Sequence, residues 1–211
     1  MKKIIISLFA AGLLLISCKD KTNDKKSSEE INKKETSQEP MDSATMMKHW
    51  MAYMTPGEPH KMMAKYDGEW ETENTMWMAP DAPPTITKGT CLNMMIMDGR
   101  YQVSNNKGNF NGMPFEGIST LAYDNAEKMY KSTWIDNFGT GIMTMNGTYN
   151  DSTKTINFKG DMIDPMTGKN MNVRETFTFV DDNTQIMEMY APTSDGKAEY
   201  KTMNIKFTRK K

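Results

Sequence analysis

Cys18 is the first residue of this 211-residue chain whose type and position could do chemistry. It follows Met1-Lys2-Lys3, a largely apolar run from Ile4 to Ile16, and Ser17. A run of about 13 residues is too short to span a bilayer, which takes roughly 20. After two lysines it reads as a cleavable signal over residues 1–17. Leu15-Ile16-Ser17-Cys18 stands where a lipobox would: an aliphatic pair, a small residue and a cysteine. Cleavage would make Cys18 the first mature residue, with lipid on its sulfur and its amine. Two or more acyl chains anchor a protein stably where one does not, so the expected first partner is a membrane. Lys19, not aspartate, follows the cysteine. The inner-membrane retention signal is thus absent, and the outer membrane of a Gram-negative envelope is the expected address, with either face open.

The second group of reactive residues is soft. Methionine is over-used, with 23 in the chain. Met41, Met46, Met47, Met51, Met54, Met62 and Met63 share one segment with His49 and His60, and thioether with imidazole suits Cu(I). Against a metal site, methionine recurs all along the chain, at Met94, Met95, Met97, Met143, Met145, Met187 and Met189 among others. Leu92 and Leu121 are the only leucines after Cys18. Exchange of leucine for methionine nearly conserves volume and costs under about 1.5 kcal/mol. Methionine is therefore expected to fill a core in leucine's place, and no metal is expected. Cys91 lies in an apolar run and reads as a buried, inert thiol. With Cys18 lipidated it has no partner for a disulfide.

The third group is ionisable and aromatic. Tyr130, Trp134 and Asp136 share one face of a strand pattern. Arg174 and Glu175 break an apolar strand, Arg100-Tyr101 follow a tight turn, and Trp77 ends a strand. Aromatic walls with a few polar groups are the makings of a small-molecule pocket. His60 reads either as a ligand or acid–base residue at a barrel mouth, or as a helix-start histidine that ties the helix down. An enzyme would use His60 with Asp136 or Glu175. No G-x-S-x-G, H-E-x-x-H or Cys-His arrangement is present, and no cofactor motif. Loss of Lys2 and Lys3 with a signal that holds no acid takes the formal charge from −1 to −3. Nucleic acid is a poor partner for such a chain.

The elements that must position these residues are legible from periodicity. Residues 18–43 are polar and charged, a tether that cannot bury enough surface to order itself. At about 25 residues it reaches roughly 25–30 Å as a flexible coil. Residues 44–66 read as one or two short helices, the first capped by Ser43, forming a plug. From residue 69 on, about ten strands alternate with turns: 69–78, 85–97, 100–106, 114–123, 128–136, 141–149, 154–162, 170–180, 185–191 and 199–209. Asp98-Gly99 predicts a two-residue hairpin with positive φ at both positions. Short connections exclude parallel pairing. An all-β, up-and-down antiparallel barrel over 44–211 leaves no open edge.

Two resemblances follow from particular residues. Gly68-Glu69-Trp70 at the first strand, with Arg209 on the last, resembles the lipocalin and fatty-acid-binding superfamily. That resemblance implies a calycin-like barrel with Trp70 as its floor and Arg209 as a cation over the ring. The blocks Pro56-Gly57-Glu58-Pro59-His60, Pro80-Asp81-Ala82-Pro83-Pro84, Gly112-Met113-Pro114-Phe115-Glu116-Gly117, Thr133-Trp134-Ile135-Asp136-Asn137 and Asp164-Pro165-Met166-Thr167-Gly168-Lys169 resemble the bacterial family catalogued as domain of unknown function 1579. They imply a secreted, often lipid-anchored β domain and no particular activity. The expectation is a non-enzymatic, lipid-anchored barrel for a small, partly apolar molecule. The alternatives are the His60 enzyme and a structural lipoprotein whose barrel is filled by its own side chains.

Overall fold

The computed structural model describes residues 41–211. The expected signal peptide, Cys18 and all but the last residues of the tether lie outside the described residues. Two helices come first, α1 (Ser43–Met54) and α2 (Glu58–Ala64). Asp42, not Ser43, caps α1: its Oδ1 accepts the N–H groups of Ala44 and Thr45 at 2.9 and 3.0 Å. A carboxylate at this position also favours the positive end of the helix. α1 carries methionines and Trp50 at helical spacing but buries none of its residues, so it is not part of a plug. The Asn125 side chain holds its end by donating to the carbonyls of Ala52, Tyr53 and Thr55. α2 alone plugs the barrel, with His60 and Met63 buried.

Ten strands follow: β1 (Gly68–Met76), β2 (Thr85–Ile96), β3 (Tyr101–Phe110), β4 (Met113–Asp124), β5 (Met129–Asp136), β6 (Met143–Asn150), β7 (Thr155–Ile163), β8 (Asn170–Asp181), β9 (Thr184–Pro192) and β10 (Glu199–Arg209). Each pairs antiparallel with the next, and β1 pairs with β10 to close the barrel. The strands follow the alternation in the sequence, and their ends fall within a few residues of the turn signals. Two turns differ from expectation. Ile96 pairs with Tyr101, so the β2–β3 connection has four residues, and Met97, Asp98 and Gly99 all carry positive φ. The two-residue hairpin lies one connection later, at Asn111-Gly112, where φ is 53° and 89°. Asn-Gly suits this turn because both central positions need positive φ.

Directly opposite residues in a ladder share a face, so the register fixes which side chains enter the barrel. Starting from buried Trp70, the parity runs consistently round all ten strands and returns to Phe207 and Arg209 on β10. The even-numbered connections after β2, β4, β6 and β8 lie at the α2 end. The odd-numbered ones lie at the other end, which forms the mouth.

Candidate functional site

The α2 end is closed by a floor whose buried polar groups are bonded with one exception. The Arg209 guanidinium lies 4.3 Å from the centre of the Trp70 ring. Its Nη1, Nη2 and Nε donate to the carbonyls of Asp67, Lys65 and Asp182 at 2.7, 2.8 and 2.9 Å. Gly68 has a φ of +114°, and a Cβ there would lie 3.3 Å from Arg209 Nη1. Trp70 Nε1 donates to the Tyr66 carbonyl at 3.1 Å, as does Asn93 at 3.0 Å. Gln102 donates to Met63 O and Asp67 Oδ1, and Asp67 Oδ2 accepts the Met95 N–H. Met63, Trp70 and Ile156 have no exposed surface. Gln185 Oε1 is the exception, buried without a partner among the described residues.

Above the floor the lumen has two unlike halves. On β1 to β5 most inward positions are small and most of those are polar: Thr72 and Asn74, Thr87 and Gly89, Ser104 and Asn106, Ser119, and Ser132, with Met76 and Leu121 as apolar exceptions. On β6 to β10 they are Met143 and Met145, Phe158 and Met162, Met171, Val173 and Phe177, Met187 and Met189, Met203 and Ile205. Methionine thus fills most of one wall. Glycines let large side chains lie against the barrel: Trp134 occupies the space a Cβ at Gly117 would need, and Phe158 that of Gly147.

Glu175 stands in the middle of the apolar half. Phe158 and Met189 flank it across the ladder, and Val173 and Phe177 along the strand. None of these can donate a hydrogen bond. Burial alone pushes its carboxyl up to about 7, because nothing nearby stabilises the charged form. Protein surrounds the group, yet it keeps accessible surface, as do the inward Asn74, Ser104, Asn106, Ser119 and Ser132. Ten strands about 4.8 Å apart and tilted by roughly 40° close into a barrel about 20 Å across between opposite backbones. β3 lies five strands from β8 in either direction, so Glu175 faces Ser104 and Asn106. Serine and asparagine are too short to bridge that width, so the polar side chains of β3 do not reach Glu175.

The mouth carries an aromatic collar. Phe115 stacks on Trp134 with centroids 6.3 Å apart, and Phe138 meets the edges of Phe115 and Phe110 at 5.3 and 6.2 Å. Asp136 is inward here and is engaged: Oδ2 accepts Trp134 Nε1–H at 2.7 Å, and Oδ1 accepts the Phe138 N–H at 2.9 Å. Met78, Met113, Ile142 and Met166 stand exposed on the mouth connections.

Several residues expected in one pocket are spread over the molecule. Trp134 and Asp136 lie in the upper lumen and Glu175 at mid-height. Tyr130 is buried at the floor against Tyr123. Trp77 sits at the mouth just after β1, its N–H bonded to the Thr202 carbonyl. Arg174 is outside the barrel, because Val173 and Glu175 take the inward phase. It pairs with Glu199 and lies 3.8 Å from the Tyr190 ring centre. Arg100 and Tyr101 belong to the turn at the closed end, where Arg100 bonds to Met97 O and Tyr101 points outward.

His60 is also at the closed end, not at the mouth. Its Nδ1 accepts the Gly57 N–H at 3.0 Å, and its ring meets Tyr123 edge-on. Burial holds its pKa below the usual histidine value, partly offset by the Tyr123 carbonyl. Tyr130 and Asp136 are six residues apart on β5, about 20 Å of strand, so His60 and Asp136 occupy opposite ends and cannot act together. His49 is exposed on α1 while His60 is buried, so the two imidazoles do not converge. Cys91 is buried, donates to Asn93 Oδ1 at 3.1 Å, and is pushed up to about 12 by burial. The polar half of the lumen and Phe110, Phe115 and Phe138 of the aromatic collar were not among the expected site residues, whereas Trp134 was.

A family model described as protein of unknown function DUF1579 matches residues 55–209. The chain belongs to that family. The match begins just before α2 and ends at Arg209, so the DUF1579 region is the plug and the barrel together, without α1. Among solved structures, the chain is similar to Rv2717c from M. tuberculosis, with a TM-score of 0.56 and 11% identity over 74% of this chain and 100% of that one. It is also similar to the S-type phycobiliprotein lyase CPES from Guillardia theta, with a TM-score of 0.52 and 10% identity over 77% and 97% of the two chains. At such identities the likeness is one of fold, a calycin-like barrel. No curated protein matches the chain in sequence.

Proposed function

We propose that this DUF1579 protein is a lipid-anchored barrel of the cell envelope that holds one small, partly apolar molecule in its lumen and does no chemistry on it. The observation that carries the reading is that inward polar residues, Asn74, Ser104, Asn106, Ser119, Ser132 and Glu175, keep accessible surface between a hydroxyl-rich half and a methionine-rich half. A molecule with one polar and one apolar side can satisfy both walls, where water satisfies only one. Two exposed apolar residues of the mouth, Ile142 and Met166, lie on connections of the strands that carry the methionine wall. The one histidine paired with the barrel is bonded into the closed end, away from this space, and the thiol is held protonated. Neither is placed to act on a bound molecule.

Membrane attachment rests on the Leu15-Ile16-Ser17-Cys18 pattern and on the polar segment after it. Palmitate labelling of cells expressing the full chain is expected to mark it, and Cys18→Ser to remove the label and release the protein from the membrane fraction. Native mass spectrometry of the protein extracted from its own envelope is expected to show one bound small molecule that exchanges with added apolar compounds. Persistent absence of bound or exchangeable mass would sink the binding reading in favour of a structural lipoprotein.

A further inference from the structure

We propose that the lumen selects a cationic amphiphile, with a protonated amine seated against Glu175 and its apolar body on the methionine-lined half. This rests on the reading of the lumen as a binding chamber and names the class of molecule it takes.

An ionisable group away from bulk water is costly unless paired. Glu175 is placed on an apolar strand, between Phe158 and Met189 and in phase with Val173 and Phe177, none of which offers a donor. The floor shows the opposite treatment: Asp67 receives a backbone N–H and a side-chain amide. A partner from outside the chain is what the site lacks. An ammonium group supplies it through a charge-assisted hydrogen bond, stronger than one between neutral groups.

Charge inside the barrel points the same way. Among the described residues, the inward strand positions carry two acids, Asp136 and Glu175, and one cation, Arg209. Arg209 is held at the floor by three carbonyls and the Trp70 ring, so no free cation faces the space. A carboxylate or phosphate ligand would meet like charge and no counter-charge. Burial raises the Glu175 carboxyl to about 7 when no partner is present, so its charge is costly above that pH, and a bound cation favours its ionised form.

The test compares three head groups on one chain length: decylammonium, decanol and decanoate, each below its aggregation threshold. They are titrated calorimetrically at about pH 8 into the mature chain carrying Cys18→Ser, which removes only the lipid site. Decylammonium is expected to bind at least about tenfold more tightly than decanol, with decanoate weakest. Glu175→Gln, which keeps the shape, is expected to bring decylammonium to the level of decanol, and Glu73→Gln, on the outer face of β1, to leave the preference intact. Circular dichroism checks that both variants fold. Equal binding of the ammonium and the alcohol, tighter binding of decanoate, or a preference that survives Glu175→Gln or is lost in Glu73→Gln overturns the proposal while leaving the chamber standing. Failure of all three ligands to bind overturns both.

Discussion

The closed end of the barrel and the chamber above it treat polar groups in opposite ways. At the floor, Arg209, Trp70, Asn93, Gln102 and Asp67 bond to one another's neighbours or to backbone carbonyls that would otherwise be orphaned. In the chamber, Glu175 is left without a donor, and the inward serines keep accessible surface instead of partners. Buried polar groups are normally satisfied. Where a fold satisfies them at one end and not at the other, the first end serves stability and the second is held ready for a molecule from outside. Both regions hang on the same strands, so the difference comes from side chains alone.

Substitutions can break this contrast or sharpen it. Arg209→Ala removes the cation over Trp70 and leaves three carbonyls of the floor without their donor. It is expected to cost about 2–4 kcal/mol, because hydrogen bonds from a charged group contribute about 1.5–3 and the cation–π contact adds about 0.5–1, read by urea unfolding. Gln102→Ala strips donors from Met63 O and Asp67 Oδ1 and is expected to cost about 1–3 kcal/mol in the same measurement.

Chamber substitutions should behave otherwise. Glu175→Gln is expected to stabilise the protein at pH 8 by about 1–2 kcal/mol, below the full value of a pKa shift because water enters the chamber. The sign follows from its raised pKa of about 7, against 4.5 for the ordinary group. Between those values the folded state holds more protons than the unfolded, so stability falls as pH rises through that window and is lowest above it. The advantage of the glutamine is therefore expected to fade towards pH 4.5, as thermal melts across the range will show. Ser119→Ala is expected to change stability by less than about 0.5 kcal/mol, because its hydroxyl has no partner to lose. A cost as large as that of Gln102→Ala would mean the chamber is bonded like the floor.

The barrel was legible in the sequence because its strands alternate and its turns carry Gly, Asn and Asp. The Trp70–Arg209 contact was approached through resemblance, since residues 139 positions apart share no local signal. The lumen was harder to read. Arg174 and Glu175 both interrupt β8, and only the phase of Val173, Phe177 and Phe179 separates the inward glutamate from the outward arginine; that signal was present. Gln102, Ser104 and Asn106 alternate with residues no more apolar than themselves, so β3 offers no hydrophobic phase to choose a face. Its polar inward face becomes visible only once the neighbouring strands fix the register. α1 has the spacing of a packed helix, but its burial depends on partners that periodicity cannot supply.

The central claim is that the lumen is open and holds a small, partly apolar molecule. Titration of the mature chain with the neutral dye N-phenyl-1-naphthylamine tests it most directly, alongside a Ser119→Trp variant that places an indole in the open space. The account predicts a saturable rise in fluorescence at one dye per chain, lost in the variant while its unfolding midpoint stays near that of the wild type. A barrel that gives no saturable signal, or one whose signal is untouched by Ser119→Trp, would contradict it.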